Sequence, residues 1–146
     1  MSDIQPKTGD PKSEVLETSF YVRFAETDLM GIVHHSAYIV WMEEGRSDFM
    51  RRRGFTFDQW EAANIGFAVS ELNVRYHAPA RYGERVTVRT CVESLRSRQI
   101  VFGYEIVNAA SGQQLVTGRV NLIAVDQQGN VRTIPAQAQR LLSAAP

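Results

Sequence analysis

A single cysteine, Cys91, is the scarcest feature of this 146-residue chain. It rules out an intrachain disulfide and any multi-cysteine zinc or iron–sulfur centre, and it fits a reducing compartment. Charge of one sign is equally lacking, because 16 Lys plus Arg balance 16 Asp plus Glu. Without a cationic surplus there is no electrostatic footprint for nucleic acid or for an anionic membrane surface. No apolar run approaches the roughly 20 residues that span a bilayer, and the N-terminal stretch lacks the basic-then-apolar order of a signal peptide. There is no internal repeat, no glycine-rich phosphate loop and no Gly-x-Ser-x-Gly elbow. His34 and His35 have no third ligand clustered with them, so no metal and no cofactor is expected. The expectation is a cytoplasmic protein without membrane insertion or a nucleic-acid partner.

What is present fits one folded domain. Hydrophobic residues make up 44% and charged residues 22%, and a chain this long buries roughly two thirds of its unfolded surface without a covalent staple. The opening stretch MSDIQPKTGDPKSEVLE is rich in Pro, Gly, Ser and charge. It reads as a flexible tail over residues 1–17, ahead of a single domain over 18–146.

From Thr18 to Ala25 apolar and polar residues alternate, which predicts a strand. A loop without clear period follows. From Ser36 to about Arg53 the residues Tyr38, Trp41, Met42, Gly45, Phe49 and Met50 recur at helical spacing, with Arg51 to Arg53 and Gly54 as stop signals. A short helical turn is expected over 56–63. Four strands follow Gly66, separated by turns near Pro79 and Gly83, at Arg96 to Arg98, and at Ala109 to Gly112. A terminal helix is expected over 135–144. Short connections imply antiparallel pairing, hence an α+β fold with a five-stranded sheet. Apolar residues appear on both alternating sets, as in Val101 and Val107 beside Ile100 and Ile106. Two apolar faces and one long helix point to an oligomer.

The densest cluster of chemically useful side chains is Glu26, Thr27, Asp28, His34 and His35, between the first strand and the helix. The first amides of a helix have no intrahelical acceptor and carry the positive end of its dipole, which suits a developing oxyanion. A carboxylate just upstream can act on the same carbonyl as base or nucleophile. Blander roles exist for the same residues: an Asx-turn for Asp28, and a helix N-cap for His35 or Ser36. Glu43 and Glu44 read as surface charges or partners of Arg46 or Arg51. Cys91 reads as a packed side chain and His77 as the end of a strand.

The stretch Phe24-Ala-Glu-Thr-Asp-Leu-Met-Gly-Ile-Val-His-His-Ser-Ala-Tyr38, continuing through Trp41, Glu43 and Arg46, resembles the hotdog-fold acyl-CoA thioesterases. The similarity is to the 4-hydroxybenzoyl-CoA thioesterase family and its Tol–Pal-associated relatives, and it runs from about Phe20 to Val125. The resemblance implies a curved antiparallel sheet wrapped around one long helix, assembled as a homodimer or homotetramer. It implies hydrolysis of an acyl-CoA substrate to free acid and coenzyme A. It places the catalytic carboxylate on Asp28, as nucleophile or as general base, and the carbonyl-polarising helix-start position on His35. Gly31 would let the loop approach the helix closely, with Val33 beside it at the substrate. Arg96, Ser97 and Arg98 fall where relatives hold coenzyme A phosphates, with Ser97 standing where some of them are basic. Two other readings compete with this one. Hydratases of the same fold pair Asp with His five residues apart around an Asn-Pro, whereas His34 lies six and His35 seven residues after Asp28 with no Asn-Pro between. A non-catalytic acyl-thioester-binding module is the reading from another class.

Overall fold

A computed structural model describes residues 13–143. The first strand, Leu16–Tyr21 (β1), opens two residues before the expected Thr18. The tail expected over 1–17 therefore overlaps ordered chain. Ser13 is buried and its Oγ accepts the Val92 N–H at 2.6 Å. The earlier part of the expected tail lies outside the described residues. The strand also stops sooner than expected, because Phe24–Glu26 coils into a 3-10 turn. Glu26 causes this. Its carboxylate folds back to accept the Arg23 N–H at 2.8 Å and the Trp41 indole N–H at 2.7 Å, which pulls the chain out of the strand direction.

The long helix, Ala37–Arg52 (α1), buries Tyr38, Trp41, Met42, Gly45 and Phe49 on one stripe, the stripe its helical periodicity marks. Gly45 allows a close approach to the sheet: a Cβ there would stand 2.6 Å from the Thr90 Oγ1 and 2.8 Å from the Val88 Cγ1. A short helix, Phe57–Ala62 (α2), follows a Thr56 N-cap whose N–H is taken by the Gln59 Oε1 at 2.7 Å. Four strands come next, at Gly66–Tyr76 (β2), Arg85–Leu95 (β3), Gln99–Asn108 (β4) and Gln114–Val125 (β5), and then a terminal helix at Ala136–Ser143 (α3).

The strands form one sheet in the order β1-β3-β4-β5-β2, antiparallel throughout. This is the hotdog arrangement of a sheet curved around one long helix. Val88, Phe102, Tyr104, Ile106, Val116 and Leu122 face α1 and are almost completely buried. The opposite face corrects the expectation of a second apolar surface. Arg89 bridges Glu17 and Glu105, Glu105 also accepts from Gln114 at 2.6 Å, and Arg119 pairs with Glu93. Val101 and Val107 are only partly buried within this charged ladder. Exposed apolar side chains lie elsewhere, among them Val69, Leu72 and Tyr76 on β2, Leu29 and Met30 in the loop before α1, and Tyr21 at the end of β1.

Candidate functional site

The loop from Asp28 to His35 is tied to the segment between β2 and β3. The Val33 N–H donates to the Ala80 carbonyl at 2.9 Å, and Ile32 bridges Arg81. Within the loop, the Asp28 Oδ1 accepts the Met30 N–H at 2.8 Å and, more weakly, the Ile32 N–H at 3.4 Å. The Asx-turn is therefore formed. It uses one carboxylate oxygen, and no hydrogen bond among the described residues engages Oδ2. Gly31 adopts φ +79°, which only glycine takes without strain. A Cβ on Gly31 would meet nothing within 4 Å, so backbone conformation is what requires glycine there, and not the close approach expected from the resemblance.

The helix start is built by His34 more than by Ser36. Ser36 occupies the N-cap position, yet its hydroxyl makes no cap bond. Instead the His34 Nδ1 accepts the Ser36 N–H at 3.2 Å and lies 2.8 Å from the Ser36 Oγ. The His34 N–H donates to the Glu26 carbonyl at 2.8 Å. Among the described residues, no acceptor takes the His35 N–H. The His35 carbonyl accepts the Tyr76 phenol O–H at 2.7 Å.

These groups surround an open cleft of about 510 Å³ whose lining includes Asp28, Val33, His34, His35, Tyr38 and Tyr76. Tyr38 forms a buried wall and its phenol oxygen accepts the Ala80 N–H at 2.9 Å. Burial raises the Tyr38 phenol above its ordinary range despite that bond, and burial raises Tyr76 as well. Both phenols therefore remain protonated near neutrality. His77 borders the cleft too, just beyond the end of β2, with its Nε2 3.0 Å from the Thr117 Oγ1.

Asp28, Val33 and His35 are thus brought together, with Gly31 shaping their loop. Arg96, Ser97 and Arg98 are not. They form the exposed turn between β3 and β4, closed by the Arg96 N–H to the Gln99 carbonyl at 2.8 Å. The Ser97 carbonyl takes the Ile134 N–H at 2.7 Å. The Asp28 loop follows Tyr21, which pairs with Arg85 at the start of β3. The Arg96 turn follows Leu95 at the end of that strand. A strand of this length separates them within one chain by roughly 30 Å. Glu43 lies on the exposed side of α1, 3.8 Å from Arg46. Local pattern did not single out Tyr76 or Tyr38 as parts of the site. The available signal was an aromatic at a strand end, next to the His77-Ala78-Pro79 break.

Residues 22–142 match the family described as the thioesterase-like superfamily. A Bacillus subtilis protein provisionally named acyl-CoA thioesterase YneP is 38% identical over 107 residues, covering 73% of this chain and 77% of its own. Among solved structures, the Thermus thermophilus hypothetical protein TT1821 superposes with a TM-score of 0.81 at 39% identity, over 87% of this chain and 96% of its own. The DHNA-CoA thioesterase of Staphylococcus aureus superposes with a TM-score of 0.76 at 34% identity, over 82% of this chain and 79% of its own.

Proposed function

The chain belongs to the thioesterase-like superfamily, and we propose that its acyl-CoA thioester hydrolysis is carried by Asp28 and the His35 N–H. The chain is an acyl-CoA thioester hydrolase. The observation that carries the assignment of residues is the cleft itself. Among the described residues, a carboxylate with one oxygen free of hydrogen bonds and an amide with no acceptor, at the start of a helix, line the same opening.

The thioester oxygen takes the His35 N–H, where the helix dipole favours the charge that develops on it. The Asp28 Oδ2 then either attacks the carbonyl carbon, expelling coenzyme A thiolate and leaving a mixed anhydride for water to cleave, or removes a proton from an attacking water. In both routes one water is consumed and a carboxylic acid and a thiol are released. A thiolate leaves readily, so a strong general acid is not required. The Asx-turn complements this role, because it holds the carboxylate in one orientation.

The active unit is a homodimer joined along β2, with the tetramer a further assembly of it. Unpaired strand edges and clustered exposed apolar groups are what a symmetric partner covers. Assembly also gives the Arg96, Ser97 and Arg98 turn a role. It is too far to reach the Asp28 cleft of its own chain, so it serves coenzyme A phosphates at the cleft of a second copy. A cytoplasmic location fits an acyl-CoA substrate.

Incubation with a panel of short, long and aromatic acyl-CoAs in the presence of a thiol reagent tests the reading. Release of free coenzyme A supports it. A change in enoyl absorbance without thiol release shows a hydratase, and saturable binding with neither shows a binding module.

A further inference from the structure

We infer that Tyr76 is a positioning residue for the oxyanion site: its phenol O–H, donated to the His35 carbonyl, fixes the turn that presents the His35 N–H. The inference rests on the Asp28 and His35 reading above and adds a residue to it from a distant part of the chain.

Two peptide units flank His35. The first carries the His34 carbonyl and the His35 N–H. Its carbonyl accepts the Ala37 N–H at 3.0 Å. The second carries the His35 carbonyl and the Ser36 N–H. That N–H is held by the His34 Nδ1, and the carbonyl by Tyr76 at 2.7 Å. With both units held, the His35 N–H is the group left over for a ligand.

The His35 carbonyl has no helical partner of its own. The Ile39 N–H, which an α-helix would aim at it, donates to the Ser36 carbonyl at 3.2 Å instead. Tyr76 therefore fills an acceptor that the first turn leaves unpaired. Among the described residues, it is the one bond holding the turn at His35 that comes from far along the chain, 41 residues away. The phenol is itself well fixed. Tyr76 ends β2 in register with Val116, and its ring meets the buried Tyr38 ring edge-on, with centroids 5.6 Å apart. A phenol has one proton to donate, and this one is committed to backbone. Tyr76 thus acts through His35 and not on the thioester.

Tyr76→Phe keeps the ring and its contact with Tyr38 and deletes only the donor. The expected result is a fall in kcat of about tenfold, since small displacements of an oxyanion donor are costly. KM and the affinity for free coenzyme A stay within about twofold, because ground-state contacts are unchanged. Tyr76→Leu also removes the ring contact, so it lowers the thermal midpoint further while its kcat matches that of Tyr76→Phe. Wild-type kcat in Tyr76→Phe, or a loss confined to KM, overturns the inference. Asp28→Asn in the same assay separates the two levels. If Asp28→Asn is inactive and Tyr76→Phe is normal, only the positioning role fails. If Asp28→Asn is normal, the underlying assignment fails with it.

Discussion

The two edge strands of the sheet meet solvent in different ways. β1 has six residues and anchors its inward side chains on α1, with Tyr21 at its end 64% exposed. The Phe20 ring packs edge-on against Trp41 at 5.5 Å, and the Thr18 hydroxyl donates to the Asp48 Oδ2 on α1 at 2.6 Å. β2 has eleven residues, pairs only with β5 among the described residues, and leaves Val69 54%, Leu72 38% and Tyr76 47% exposed. Short, anchored edges resist pairing with other chains, while long apolar ones invite it. The open edge ends at Tyr76, on the wall of the cleft. The edge that a second copy would cover is therefore the edge that reaches the proposed chemistry.

The largest expected effect comes from charging the open edge. Val69→Lys with Leu72→Lys places like charges across a two-fold axis, which costs several kcal/mol. The dimer dissociation constant should rise by about a thousandfold or more, and turnover at micromolar protein should fall with it. Tyr21→Ser on β1 should change neither. Light scattering coupled to size exclusion reads both variants, and a fully active species with the mass of one 16.5 kDa chain would break the comparison.

A smaller effect is expected at the turn far from the cleft. Replacing Arg96 and Arg98 together by Ala should raise KM for acyl-CoA by about tenfold at low salt and leave kcat near wild type, the pattern for exposed phosphate contacts. Mixing this variant with inactive Asp28→Asn chains sharpens the point. If the cleft and the turn come from different copies, mixed dimers that pair two intact elements regain low-KM activity.

The smallest effect belongs to β1. Burial alone would raise the Asp48 carboxyl, but the Thr18 hydroxyl and Arg52, with Arg51 nearby, outweigh it and hold the group below its ordinary 3.8. A depressed carboxylate stabilises the fold above its unfolded value, and that contribution is lost as pH falls through the folded one. Asp48→Asn should thus cost about 1 kcal/mol at neutral pH, with the gap to wild type closing below about pH 4. Thermal melts of both proteins across that range check the sign, and kcat should be unaffected.

Elements with local causes were legible in the sequence. The stripe of α1, the short helical turn over 56–63 and the spacing of Asp28 to His35 each depend on neighbours a few residues apart. Features set by distant partners were not. Nothing around Ala25 announces that Glu26 will turn back toward Trp41 and end β1 early. Alternating apolar residues marked β3 to β5 correctly, but the pattern in Val101 and Val107 did not register that Arg89, Glu105, Glu93 and Arg119 would cover that face as cross-strand ion pairs. Tyr76 escaped notice because its partner is fixed only once β2 has paired with β5. The capping role of His34 was not legible, because two adjacent histidines look alike until the Nδ1 of one takes the Ser36 N–H.

Turnover of Asp28→Asn on an acyl-CoA that the wild type hydrolyses tests the central claim most directly. Amide replaces carboxylate at nearly constant shape, and the Oδ1 that accepts the Met30 N–H at 2.8 Å is retained. Folding and oligomeric state should therefore match wild type. The account predicts a loss in kcat of at least about a hundredfold, the lower range for a positioned base. A well-folded Asp28→Asn that releases coenzyme A at the wild-type rate would contradict it.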